Sequence, residues 1–129
     1  MVATRRWLGL ALCAAAATGC LSRLHVTKTY ALKVGQVQAL SIDAPARDQT
    51  VTVAVETDAP VTVYMFLQRD EEQVEHAVQI GKMPEKALAK WEGDSAGSLS
   101  AKVPAKEVAI VRVESGSKPA NVKLKITGS

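Results

Sequence analysis

TVTVAVETDAPVTVYMFL, residues 50–67, decides the fold. Val51, Val53 and Val55 alternate with Thr50, Thr52, Ala54 and Glu56; after Asp58-Ala59-Pro60 a second run places Val61, Val63, Met65 and Leu67 on one face. Successive side chains of a strand point to opposite faces, so period-two alternation of β-branched residues makes half-buried strands, whereas a helix repeats every three or four positions. Pro60 presets φ and has no N–H to give a sheet, which suits it to the turn. The second run ends apolar on both faces, because Tyr64 and Phe66 oppose Met65 and Leu67. Such a strand is central in its sheet or covered on its second face.

The cover comes next in sequence. Residues 70–80, DEEQVEHAVQI, have a helical period: Val74, Ala77 and Val78 share a stripe. Asp70 is placed to cap the helix, Glu71 and Glu72 lie in the first turn where the dipole favours negative charge, and Gly81 stops it. The pattern predicts a short helix over a sheet edge or end. Residues 84–91 read either as a further helical turn from Pro84 or as a strand through Leu88, Ala89, Lys90 and Trp91, and residues 92–98, EGDSAGS, read as a loop.

The remaining runs are strands. Residues 21–28 are a tether or a first edge strand; residues 27–34 and 37–42 flank Gly35 as a hairpin or as one bulged strand. Leu99, Ala101 and Val103, then Val108 to Glu114, then Val122, Leu124 and Ile126, complete the set. Seven or eight short strands separated by turns every ~8–12 residues indicate an all-β chain, a small antiparallel β-sandwich with one short inserted helix. Its core is expected from Val51 to Val55, Val61 to Leu67, Val111 to Val113 and Val122 to Ile126. A charge at Val53, Val63 or Leu124 is expected to unfold it, since each buried side chain of this kind contributes about 1.5–3 kcal/mol.

Charge and composition narrow the function classes. The net charge of +3 includes Arg5 and Arg6 of a leader; the rest of the chain has 14 Lys plus Arg against 13 Asp plus Glu. A nucleic-acid reading needs a clustered basic face, and this near-balance gives little support for one. Aromatic residues are 4% of the chain, too few for a base- or sugar-stacking platform. Both cysteines, Cys13 and Cys20, lie in the first twenty residues, so the body has no disulfide framework, thiol nucleophile or cysteine zinc site.

The amino terminus reads as an export signal. Arg5 and Arg6 form a positive n-region, WLGLALCAAAA (residues 7–17) an apolar h-region too short to span a bilayer stably, and Thr18-Gly19 a small-residue cleavage site before Cys20. Ala17-Thr18-Gly19-Cys20 resembles the lipobox of bacterial lipoproteins, with Ala17 where that family prefers Leu. The resemblance implies cleavage between Gly19 and Cys20, lipidation of Cys20, and membrane attachment through the lipid. Leu21, in place of Asp, implies sorting to the outer membrane, facing the periplasm. The expected organisation is a signal peptide over 1–19, a lipidated cysteine and tether over 20–26, and a β-sandwich domain over 27–129.

From about Gly35 to Gly128 the strand order resembles the bacterial pre-peptidase C-terminal domain and similar jelly-roll modules. The features are a β-branched strand leading to Val61–Tyr64, a Gly-Ser-Leu strand at Gly97, Ser98 and Leu99, a Pro104-Ala105 turn and two closing strands. Ala59-Pro60 stands where that family often has Gly-Asp, and Lys106-Glu107-Val108 where an aromatic follows Pro-Ala-Gly. The resemblance therefore implies a jelly-roll-like architecture and a binding or assisting role, without the family's ligand positions.

Reactive constellations are few. Glu72 and His76 are spaced i, i+4 on the helix, as are Glu71 and Glu75, a spacing that sets two metal ligands on one face; no third ligand is in evidence, and the solvated-face reading is preferred. His25 and His76 are the sole histidines, and no Ser/His/acid arrangement follows from them. Asp43, Asp48, Asp58, Asp70 and Asp94 sit at turns for backbone reasons. Lys102, Arg112, Lys123 and Lys125 read most simply as outer strand faces; together they would make a basic stripe for anionic lipid or glycan, and the ordinary solvated sheet face is the preferred reading. The sequence thus describes a non-enzymatic, cofactor-free binding or structural module of the cell envelope, tethered through Cys20 and partnered by an envelope protein or polymer. The alternatives are a secreted, unlipidated accessory binding domain and an envelope hydrolase.

Overall fold

The computed structural model describes residues 24–129. They form β1 (His25–Leu32), β2 (Val37–Ile42), β3 (Gln49–Thr57), β4 (Val61–Leu67), a 3₁₀ turn (Gln68–Asp70), α1 (Glu71–Gln79), β5 (Ala89–Gly93), β6 (Ala96–Val103), β7 (Ala109–Ser115) and β8 (Ala120–Gly128). These make two four-stranded antiparallel sheets: sheet I in the order β1-β8-β3-β6 and sheet II in the order β2-β7-β4-β5. Successive strands alternate between the sheets, except that α1 joins β4 to β5 within sheet II. This is the jelly-roll form of the expected β-sandwich.

The strands β3 and β4, adjacent in sequence, do not pair with each other. β3 pairs with β6 and β8, and β4 pairs with β5 and β7, so Asp58-Ala59-Pro60 carries the chain from one sheet to the other. Alternation tells which side chains a strand buries, but both sheets bury the same kind of face. Residues 33–36 do likewise: Gly35, at φ +67, turns the chain from β1 in sheet I to β2 in sheet II, which is neither a hairpin nor a bulged strand. Residues 92–98 are not a loop. Glu92 and Gly93 pair with Thr62 and Val61, and Ala96, Gly97 and Ser98 pair with Glu56, Val55 and Ala54, leaving Asp94-Ser95 as a tight corner between sheets. Partner strands override a Gly/Ser-rich composition there. Residues 84–91 resolve as a turn followed by β5, and His25 and Val26 already belong to β1.

The inner faces interdigitate into one core containing Val51, Val53, Val55, Val61, Val63, Met65, Leu67, Val111, Val113, Val122, Leu124 and Ile126, all buried as the alternation requires. A second, smaller core lies on the outer face of sheet II, where Tyr64, Phe66 and Ile110 pack against Val74 of α1, with Val78 beside them. The helix therefore covers the two inner strands of sheet II and not an edge or end, which accounts for the double-sided apolarity of β4. Asp70 makes no side-chain cap to α1; the 3₁₀ turn leads into the helix instead. The far end is a Schellman motif: Gly81, at φ +74, donates its N–H to the Val78 carbonyl at 3.1 Å, and the Lys82 N–H reaches the Ala77 carbonyl at 2.8 Å.

Candidate functional site

The strand registers fix which connections share an end. Leu32 lies opposite Ala120, Thr57 opposite Val122, Ala96 opposite Glu56, and Val61 opposite both Ser115 and Gly93. The connections β1–β2, β3–β4, β5–β6 and β7–β8 are therefore gathered at one end of the sandwich. His25 lies opposite Thr127, so the chain enters β1 at the other end.

The gathered connections are tied to one another. Gly35 donates its N–H to the Gly116 carbonyl at 3.2 Å, and Gly116 donates to the Pro60 carbonyl at 3.2 Å. The buried Ser115 hydroxyl donates to the Lys33 carbonyl and accepts the Gln36 N–H at 3.1 Å. Thr57 donates its N–H to the Ser95 carbonyl at 2.8 Å. The Asp58 carboxylate accepts the Asn121 N–H at 2.8 Å and the Asn121 side-chain amide at 2.9 Å. The Asn121 backbone bond, then its side-chain bond, hold the Asp58 carboxyl below the usual carboxylate range. Each connection thus has a hydrogen-bonded neighbour, and together they form one platform. Val34 stands 59% exposed on it.

Within this end lies an open crevice of about 580 Å³, with the exposed Pro60 on its apolar side and Thr62, Glu92, Asp94 and Ser117 as its polar groups. Glu92 is held by the Thr62 hydroxyl at 3.4 Å and faces Lys90 at 3.6 Å. The sequence marked Asp94 as a turn residue and passed over the crevice, because its parts come from three separate connections; the clustering of Gly, Pro and Asp at those turns is the sole local signal.

The candidates named from sequence fall elsewhere. Cys20 and Gly19 lie outside the described residues. Glu72 and His76 are exposed on α1, and with Gln68, Arg69 and Glu71 they border a shallow depression. Among the described residues no group of three or more His, Cys, Asp or Glu is gathered as a metal set. His25 is exposed on β1 in sheet I, in the opposite layer from His76.

The four residues of the candidate basic stripe are divided between the two sheets. Lys102, Lys123 and Lys125 share the outer face of sheet I, whereas Arg112 lies on the outer face of sheet II, 4% exposed beneath α1. Arg112 donates through Nε to Glu75 Oε2 at 2.7 Å and through Nη1 to Glu114 Oε1 at 2.8 Å. Burial alone would lower its pKa; the hydrogen bonds of Glu114 and Glu75 outweigh it and hold the guanidinium above its ordinary value. Strand parity placed Arg112 outward correctly, but its burial depends on a helix 37 positions away.

No family model matches the chain, and no curated protein matches it. Among solved structures, the chain is similar in fold to the crystal structure of Aeromonas hydrophila PliG, a periplasmic lysozyme inhibitor of g-type lysozyme. The TM-score is 0.53 at 13% sequence identity, over 83% of this chain and 86% of that chain, so the likeness is one of fold.

Proposed function

We propose that this chain is a non-catalytic protein-binding module of the bacterial cell envelope, attached to the outer membrane through a lipid on Cys20 and facing the periplasm. The observation that carries the reading is the platform of cross-tied connections at the end opposite the entry of β1. A tether at Cys20 would hold the entry end, and a preorganised surface at the other end loses little entropy when a partner docks. The pre-peptidase C-terminal resemblance, also proposed at the level of architecture, agrees with a binding role. Two or three acyl chains, at about 0.8 kcal/mol per buried CH₂, would make the attachment durable.

The fold likeness to a periplasmic inhibitor supplies a first partner class, a g-type lysozyme. Purified protein mixed with such a lysozyme should form a stoichiometric complex and slow the lysis of a cell-wall suspension. Unchanged lysis and no complex by gel filtration would reject that partner. Attachment has its own check: labelled palmitate should enter the wild type and be absent from Cys20→Ser, and label retained in the variant would reject lipidation at Cys20.

A further inference from the structure

We propose that the crevice between Pro60, Glu92 and Ser117 receives a lysine or arginine side chain presented by the partner protein. This rests on the reading above that the platform is the docking face. A basic side chain has a long apolar stem and a cationic head, and it binds where an apolar wall leads to a carboxylate. The crevice has that arrangement: the exposed Pro60 ring is its apolar side, and Glu92 and Asp94 are both exposed at it. None of its lining residues is a cation. Glu92 faces Lys90 across 3.6 Å at the surface, a contact that an incoming guanidinium replaces without stranding a buried charge. Among the described residues Asp94 has no ion-pair partner within 4.0 Å. Thr62 and Ser117 add hydroxyl oxygens that accept the remaining N–H groups of a planar guanidinium.

The surroundings favour a side chain on a folded partner over a free solute. The crevice is open on its outer side, and its rim carries the cross-tied Gly116 and Pro60, so it is shaped before anything enters. At about 580 Å³ the crevice is larger than one side chain and leaves room for the partner backbone that presents an anchoring residue, the kind of contact that dominates protein interfaces.

The test uses the protein isolated from its host and held in non-ionic detergent, titrated with the blocked tripeptides Ac-Gly-Arg-Gly-NH₂, Ac-Gly-Lys-Gly-NH₂ and Ac-Gly-Glu-Gly-NH₂. Amide NMR shifts are followed in the wild type and in Glu92→Gln/Asp94→Asn, whose exposed positions leave the core intact. The basic peptides should move the amides of Thr62, Gly93, Asp94, Gly116 and Ser117, with affinity lowered at least fivefold in the double variant and no such pattern from the acidic peptide. No response, an equal response at Glu71 and Glu72 of α1, or an unchanged affinity in the double variant would overturn the proposal. The partner assay separates the two readings. Peptide binding at the crevice without a complex with the hydrolase rejects that partner and leaves the crevice standing. A hydrolase complex indifferent to Glu92→Gln/Asp94→Asn rejects the crevice alone.

Discussion

Arg112 on β7 donates its Nε–H to Oε2 of Glu75 on α1 at 2.7 Å, joining the helix to the outer face of sheet II. The guanidinium is nearly enclosed while the Glu75 side chain stays 35% exposed, so the carboxylate regains water if the pair is cut. Arg112→Ala should therefore cost about 1–3 kcal/mol, below the ~3–5 kcal/mol of a fully buried pair. Arg112→Met with Glu75→Gln should recover most of that loss, because the stem packing returns and one carboxylate is removed. Urea unfolding of both variants checks this; a loss under about 0.5 kcal/mol in Arg112→Ala would show that the apolar contacts hold α1 unaided.

Gly97 on β6 lies under the indole of Trp91 on β5, at the seam where the two sheets are joined by the Asp94-Ser95 corner. A Cβ at position 97 would collide with the indole nitrogen, and one at Gly93 would stand 2.5 Å from Cζ2 of the same ring. The ring is half-buried and packs on the main core, so it has no free path inward. Gly97→Ala should destabilise by about 1–3 kcal/mol and shift tryptophan emission to the red as the ring is displaced toward water. Emission and stability both matching the wild type would contradict the packing.

Asp58 supplies a pH dependence with a definite sign. Its folded-state pKa is lowered by the bonds from Asn121, so at acid pH the unfolded chain binds the proton more readily than the folded one. The stabilisation is present in full above the ordinary carboxylate range and is lost as pH falls through the folded value. The Tm gap between the wild type and Asp58→Asn should be positive near neutrality and shrink as pH falls through and below the ordinary carboxylate range. A gap constant over that range would remove the charge from the account.

The buried faces were legible in sequence because period-two alternation is local: Val51, Val53 and Val55, and likewise Val122, Leu124 and Ile126, enter the core as read. The helix was legible for the same reason, and Gly81 marked its end through a backbone requirement that glycine meets. The division of strands between sheets was not, since Val53 and Val63 look alike in sequence yet enter the core from different sheets. The outward side of Arg112 was legible but its burial was not, because that burial comes from α1 and not from its neighbours on β7. The crevice escaped because Pro60, Glu92 and Ser117 are brought together by register alone.

Amide hydrogen exchange on the free protein tests the preorganised platform most directly. The N–H groups of Gly35, Thr57, Gly116 and Asn121, each donated across connections, should exchange at least ~100-fold more slowly than in an unfolded chain, while Glu85 and Lys86 in the turn before β5 serve as fast internal references. Exchange of those four amides at the unfolded rate would contradict the platform, and with it the claim that this end of the jelly roll is built to receive a partner.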